Sequence, residues 1–422
     1  MKLANPVAER AESEPNRRSL GDLPIKILFL AALLFTLALL VARLAASVPS
    51  AWVEASPMPL VTDHRMAFPA ESWEAVVPER QGMRSRQLDR AIERFDASTP
   101  SGGVKRLVIA RHGQVVWSGR EASERQGVWS ITKSLSATLL GPMIESGQVR
   151  LDDPVSEWVS DLRPVYGEVT WRHLLAMTSG YEAVGDWPPP KSGYVNGGSL
   201  TPFAPSERPQ FAPGTHFSYW DSASNVYGLA VTELAGESLR DLFQRHIATP
   251  IGIGAGDWEW RKFGDHGEVE LQSSSGNKGK HIEMSAMDLA RIGHLLLNRG
   301  RWHGTEVLSE EWVGEMTRVQ VPAEMPLGGP IVDLYGERFP FDGRGTYGLG
   351  WWVNGTGPDG DRHWPGCPPG TFGAVGYNNN VLLVVPEWEL MLVRLGLDGK
   401  ERRMERAEFA KLLVEVGESI AR

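Results

Sequence analysis

The sequence predicts an α+β body whose antiparallel sheet is assembled from both ends of the chain, with a mainly helical segment between them. Three observations predict it. Strand-like runs occur early, at residues 104–111 and 114–119, and return late, at 348–354, 371–377, 380–385 and 390–395. The intervening stretch, about 148–310, reads as mainly helical. Helical spacing also brackets the strands, before the first and again at about 401–420.

In chain order, Leu88, Ile92 and Phe95 stand at i, i+4 and i+7, the spacing of one apolar helix face. The two early strands meet at His112-Gly113, a hairpin turn. A helix then starts at Ser130, with Ile131, Leu135, Leu139 and Met143 spaced by four; it is interrupted at Gly141-Pro142 and ends near Gly147. Asp153-Pro154 and Thr170-Trp171 carry helix-opening chemistry. Later helices span about 222–234, stopping before Gly236, and 285–297, with Leu289, Ile292 and Leu296 on one face. The stretch from Val184 to Gly214 holds seven prolines without periodicity, and reads as a lid or binding loop, or else as a disordered insertion. The late strands at 380–385 and 390–395 are separated by the turn Pro386-Glu-Trp-Glu.

The N-terminal region has a different character. Residues 27–42 are uncharged and almost wholly apolar, between a signal-peptide core and a full membrane span in length. The expected organisation is a cytoplasmic head (1–24), a transmembrane signal-anchor (25–48), a linker (49–78) and a folded body (79–422). Cleavage near Ala45-Ala46 would instead yield a secreted product. On either reading the body lies outside the cytoplasm, in the periplasm.

Composition excludes several classes. A net charge of −9 with no basic run offers no footprint for nucleic acid. The single cysteine, Cys367, allows no intrachain disulfide, and its Cys-Pro-Pro-Gly setting reads as a loop thiol. No His/Cys ligand spacing is found, and Gly252-Ile-Gly254-Ala-Gly256 follows no strand and opens no helix, so neither a metal nor a dinucleotide cofactor is expected. No Gly-x-Ser-x-Gly elbow is present.

The chemistry starts at Ser130-Ile131-Thr132-Lys133. Residues i and i+3 share a helix face, with β-carbons about 5–6 Å apart, so Lys133 reaches the Ser130 hydroxyl locally. A serine hydroxyl needs such a neighbour to act as a nucleophile. A second Ser-x-x-Lys, Ser275-Gly276-Asn277-Lys278, has no helical pattern around it and reads as a solvated loop. Tyr219, in Pro213-Gly-Thr-His-Phe-Ser-Tyr219-Trp220-Asp221-Ser222, stands just ahead of a helix where a phenol can project into a cleft and exchange protons.

With further stretches these motifs resemble the penicillin-recognising serine hydrolases, on the class C β-lactamase branch. The stretches are Gly147-Gln-Val-Arg-Leu-Asp-Asp-Pro, Val169-Thr-Trp-Arg-His-Leu-Leu-Ala-Met-Thr-Ser-Gly, Met287-Asp-Leu-Ala-Arg-Ile-Gly and Tyr347-Gly-Leu-Gly-Trp-Trp. The run Phe372-Gly-Ala-Val-Gly-Tyr-Asn-Asn-Asn380 is most similar to the 6-aminohexanoate-oligomer hydrolase and esterase group. The resemblance spans about 80–420. It implies a β-lactamase-like sheet flanked by helices, Ser130 as nucleophile and Lys133 with Tyr219 as the acid/base pair. It also implies an oxyanion hole from the N–H groups of Ser130 and Tyr377, with Gly376, Asn378 and Asp221 beside it.

Two departures stand out. Asp221 occupies the place of an asparagine in Tyr-x-Asn, and an acid there holds Lys133 charged and shifts the base role to Tyr219. Ala374-Val375-Gly376 replaces Lys-Thr-Gly or His-x-Gly, removing the cation that steadies a substrate carboxylate. Trp187, Trp220 and Trp364 are expected as apolar cleft walls or as packing, and His216 and His363 as solvated or packed side chains. The expected activity is hydrolysis of an ester or amide in a small molecule or short peptide through an acyl-enzyme, without a cofactor. The alternatives are a D,D-carboxypeptidase or β-lactamase, or a catalytically idle binding module.

Overall fold

The computed structural model describes residues 66–99, 103–181, 205, 208–276, 279–328, 341–397 and 406–420. All of them belong to the unit Ala55–Arg422. The expected anchor at 25–48 and the residue Trp187 lie outside the described residues. Among those described, no helix is long and apolar enough to cross a membrane.

The helices used below are α1 (Ser85–Ser98), α2 (Ile131–Ala137), α3 (Leu140–Glu145), α4 (Trp171–Leu175), α5 (Asp221–Ala235), α6 (Ala286–Leu297) and α7 (Arg406–Ser419). The strands are β1 (Leu107–Arg111), β2 (Gln114–Ser118), β3 (Gln126–Gly127), β4 (Glu259–Trp260), β5 (Lys262–His266), β6 (Val269–Gln272), β7 (Ile282–Met284), β8 (Arg301–Trp302), β9 (Thr305–Glu306), β10 (Trp352–Val353), β11 (Phe372–Gly376), β12 (Asn380–Val385) and β13 (Leu390–Arg394).

The main sheet runs β10-β11-β12-β13-β1-β2 and is antiparallel throughout, so the early hairpin completes a sheet begun by the late strands. Register shows how its faces are used. Leu382 pairs with Val393 and Val384 with Met391, placing these four on one face. That face meets α6, where a side chain on Gly293 would collide with Leu382 and Met391. Val381 and Arg394 pair on the opposite face. There Arg394 lies over the Phe95 ring of α1, and Phe95 packs on Phe409 of α7. Both faces are covered, so all six residues of β12 are buried.

Helix limits follow capping chemistry. Thr170 caps α4 and Ser285 caps α6 through their side chains, and α5 ends at Gly236 with a left-handed φ of 67°. The break after Ser130 comes earlier than Gly141-Pro142: α2 stops at Ala137, and Pro142 sits inside the first turn of α3. A proline ring clashes with the carbonyl four residues back, here Thr138, so the interruption falls one turn upstream. Asp153 caps no α-helix; its carboxylate accepts from Arg150 N in a turn, and a short 3₁₀ turn follows at Val155–Glu157.

The central stretch also contains β-structure. Strands β3, β7 and β4 form a small sheet, and β5-β6 and β8-β9 form two hairpins. Buried Trp258 and Trp260 flanking Glu259 carry the alternation that marks this region. Packing likewise begins before residue 79. Val76 N donates to Val115 O, Trp73 Nε1 to Met287 O, and the buried Arg291 guanidinium to the carbonyls of Pro69, Ala70 and Glu71. A segment held by backbone groups shows no side-chain period, which is why it reads as a linker.

Candidate active site

Ser130 is the N-cap residue of α2, and its hydroxyl makes no capping bond. The chain reaches it through Trp129, whose φ of 54° puts a bulky residue in the left-handed region. Such a conformation costs of order 1–3 kcal/mol and persists where surrounding contacts impose it. Those contacts are visible: Val128 N donates to Ile282 O, and the Trp129 ring stacks on His281 at 4.6 Å.

Lys133 Nζ lies 3.2 Å from Ser130 Oγ. The same ammonium forms an ion pair with Asp221 at the start of α5. It also lies over the Tyr219 ring, 4.9 Å from its centroid. The pair is nearly closed to solvent, with side-chain exposures of 2% for Lys133 and 8% for Asp221. Burial alone would push the Lys133 ammonium down, but the Asp221 charge and the neighbouring Tyr219 outweigh it and hold it above its ordinary value. Lys133 is therefore a fixed cation rather than a free amine. Tyr347, edge-on to Tyr219, is held well above its usual range, by burial first and then by Tyr219 and Asp221. Its phenol stays protonated.

Tyr219 is delivered by an extended segment. Ser218 N donates to Met177 O, Phe217 N to Pro326 O, and Gly328 N returns to Phe217 O. The next residue but one opens α5, so Tyr219 and Asp221 reach Lys133 from a single bend.

Strand β11 closes the other side. A side chain on Gly376 would fall 2.3 Å from Val128 O and 3.3 Å from Ser130 N, so the strand end passes directly against the nucleophile's amide. Tyr377 follows at once, and then Asn378 and Asn379 at φ 65° and 57°. The fully buried Arg394 donates to the carbonyls of both asparagines and to Gly103 O, holding this left-handed turn. Asn380 donates to Gly127 O and accepts from Gly396 N, tying the turn to the strand that leads into Ser130. Ala374, where the resemblance would have put a cation, is buried, and Val375 beside it is half-buried.

The segment around Ser275 is not a solvated loop. Ser273, Ser274 and Ser275 have no exposed surface, and Ser273 Oγ donates to Asn225 Oδ1 of α5. A side chain on Gly276 would come within 2.6 Å of Ser130 Oγ and 3.0 Å of Ser130 N. Gly276, Arg394 and Asn380 are thus site residues that motif reading missed. A Ser/Gly-rich run looks alike whether it is solvated or packed as a polar tract behind a site. Trp220 is half-buried at the N-cap of α5, whereas Trp364 is buried in the core, edge-on to His363. His363 is buried and stacks on Trp352, and His216 contacts Thr215. Burial raises the Cys367 thiol to about 12, so the sole cysteine is a structural one.

A family model described as Beta-lactamase matches residues 88–414. The chain belongs to the beta-lactamase family. Within the family it is 28% identical over 178 residues to esterase EstB of Burkholderia gladioli, covering 35% of this chain and 44% of that protein. It is 22% identical to the 6-aminohexanoate-dimer hydrolase of Paenarthrobacter ureafaciens, over 66% of this chain and 67% of the relative. The chain spans less than half the length of the esterase it matches. Its fold is similar to that of a penicillin-binding protein homologue from Caulobacter crescentus, with a TM-score of 0.57 at 15% identity, covering 80% of this chain and 98% of that one. The protein is a serine hydrolase of the beta-lactamase family, with a β-lactamase-like fold.

Proposed function

We propose that the protein hydrolyses esters or amides through an acyl-enzyme on Ser130. The observation that carries this reading is Lys133 Nζ, 3.2 Å from Ser130 Oγ and ion-paired on its other side with Asp221. Ser130 Oγ attacks the carbonyl carbon, and its proton passes to Tyr219, which acts in its phenolate form against the Lys133 cation. The developing oxyanion faces the Ser130 and Tyr377 amides. Tyr219 returns the proton to the departing alcohol or amine, and water releases the acyl group by the reverse path. Two esterase- and amidase-type relatives support an ester or amide as the substrate bond, and Ala374 in place of a cation weighs against a carboxylate anchor.

A fluorophosphonate probe on the full chain tests the nucleophile. The expected result is one adduct by intact mass, absent in Ser130→Ala; an unlabelled but folded wild type would overturn the reading. The stretch 27–42 supports attachment to a membrane with the body outside the cytoplasm. Release of the protein from membranes by alkaline carbonate would count against that placement.

A further inference from the structure

Ser130 is flanked by two pairs of aromatic rings, and all four rings are half-buried, as Ser130 itself is. On one side Trp129 and Tyr377 meet at 4.8 Å. Trp129 adjoins the nucleophile in the chain, and Tyr377 follows the glycine that abuts its amide. On the other side Tyr219 and Phe341 meet at 4.7 Å, beside the Lys133 cation.

Each pair is backed by a ring with almost no exposure. His281, 5% exposed, stacks on Trp129 at 27°, and Trp352, 3% exposed, stacks on Tyr219 at 25°. The backing rings complete the core and fix the orientation of the front rings. The front rings themselves keep part of their surface open, Trp129 next to Ser130 in the chain and Tyr219 against Lys133. Rings presented this way favour a flat apolar group by offset or edge-on stacking.

We propose that the site takes esters or amides with two uncharged apolar flanks: an aromatic acyl group against Trp129 and Tyr377, and an apolar leaving group against Tyr219 and Phe341. The sides follow from the proton path, because Tyr219 must reach the departing atom. The inference rests on the reading of Ser130 as nucleophile and names its substrate class.

Four matched esters test it, combining phenylpropanoyl or butanoyl with benzyl or propyl alcohol, together with the succinyl half-ester of propanol. The expected kcat/KM ratios are about tenfold in favour of the aromatic group on each flank, with the succinyl ester slowest. Tyr377→Leu should narrow the acyl ratio to about twofold and leave the alcohol ratio; Phe341→Ala should do the reverse. Ratios near one on both flanks in the wild type, or preference for the succinyl ester, with Ser130 still labelled by the fluorophosphonate, would overturn this inference and leave the nucleophile standing. No labelling and no turnover of any ester by the folded protein would remove both.

Discussion

At the scale of single residues, the deciding contact is between Lys133 and Asp221. The Ser-x-x-Lys spacing made the Ser130–Lys133 approach legible, since i and i+3 share a helix face. The carboxylate, 88 positions further on, had no local signal, and only the resemblance brought it near. Asp221→Asn tests the pair. A lysine held above its ordinary value contributes stability that is fully present below its unfolded value, about 10.4, and lost as pH rises through the folded value. The wild type therefore keeps this contribution at neutral pH. In Asp221→Asn burial is left as the largest influence and pushes the ammonium down. The variant should lose about 3–5 kcal/mol at pH 7 and recover part of it by pH 9.5. Urea midpoints at the two pH values would show this as a narrowing gap; a gap independent of pH would mean Asp221 does not hold the cation. Cys367 gives a second test. With its thiol at about 12, folded protein should resist iodoacetamide at pH 8 and react only on unfolding.

At the scale of elements, the site depends on close passages of backbone. Gly276 faces Ser130 Oγ where a Cβ would stand 2.6 Å away. Gly276→Ala should lower kcat/KM by about 10²-fold with the thermal midpoint nearly unchanged, because a displacement of about 1 Å at the reacting atoms is enough. Equal activity would show that the Ser273–Gly276 tract yields freely. The strand end at Tyr377 depends on a different element, since Arg394 of β13 satisfies the carbonyls of its left-handed turn. Removing these donors in Arg394→Met strands buried carbonyls at a cost of about 1–3 kcal/mol each. Its urea midpoint should fall accordingly and activity with it, while Arg394→Lys recovers part of both. The strand β11 itself was legible from its apolar run. Its supports were not, because a buried arginine and two asparagines in turns have no period.

At the scale of the whole molecule, the sheet was the most legible feature. Alternating and continuous apolar runs at 107–118 and 372–394 can be buried only by pairing with one another. The small sheet β3-β7-β4 was missed because two- and three-residue strands carry too few positions to show a period. The docking of residues 66–78 was missed because it rests on carbonyls. That docking makes its own prediction. His294 of α6 contacts Ala67 O among Phe68, Trp73 and Trp302, and burial lowers it to about 4. A depressed histidine contributes stability above its unfolded value, near 6.5, that is lost as pH falls through about 4. Acidification from pH 7 to pH 4 should therefore cost on the order of 3 kcal/mol through this group. Denaturation curves of wild type and His294→Phe check it, the variant showing the shallower acid dependence.

The proposed reaction turns on the acyl-enzyme at Ser130. The most direct measurement is rapid quenching of the full chain during turnover of an activated ester, followed by peptide mass mapping. A stoichiometric acyl adduct is expected on the peptide carrying Ser130, with Ser130→Ala showing neither adduct nor turnover. Undiminished hydrolysis by Ser130→Ala, or an adduct on another residue, would contradict it.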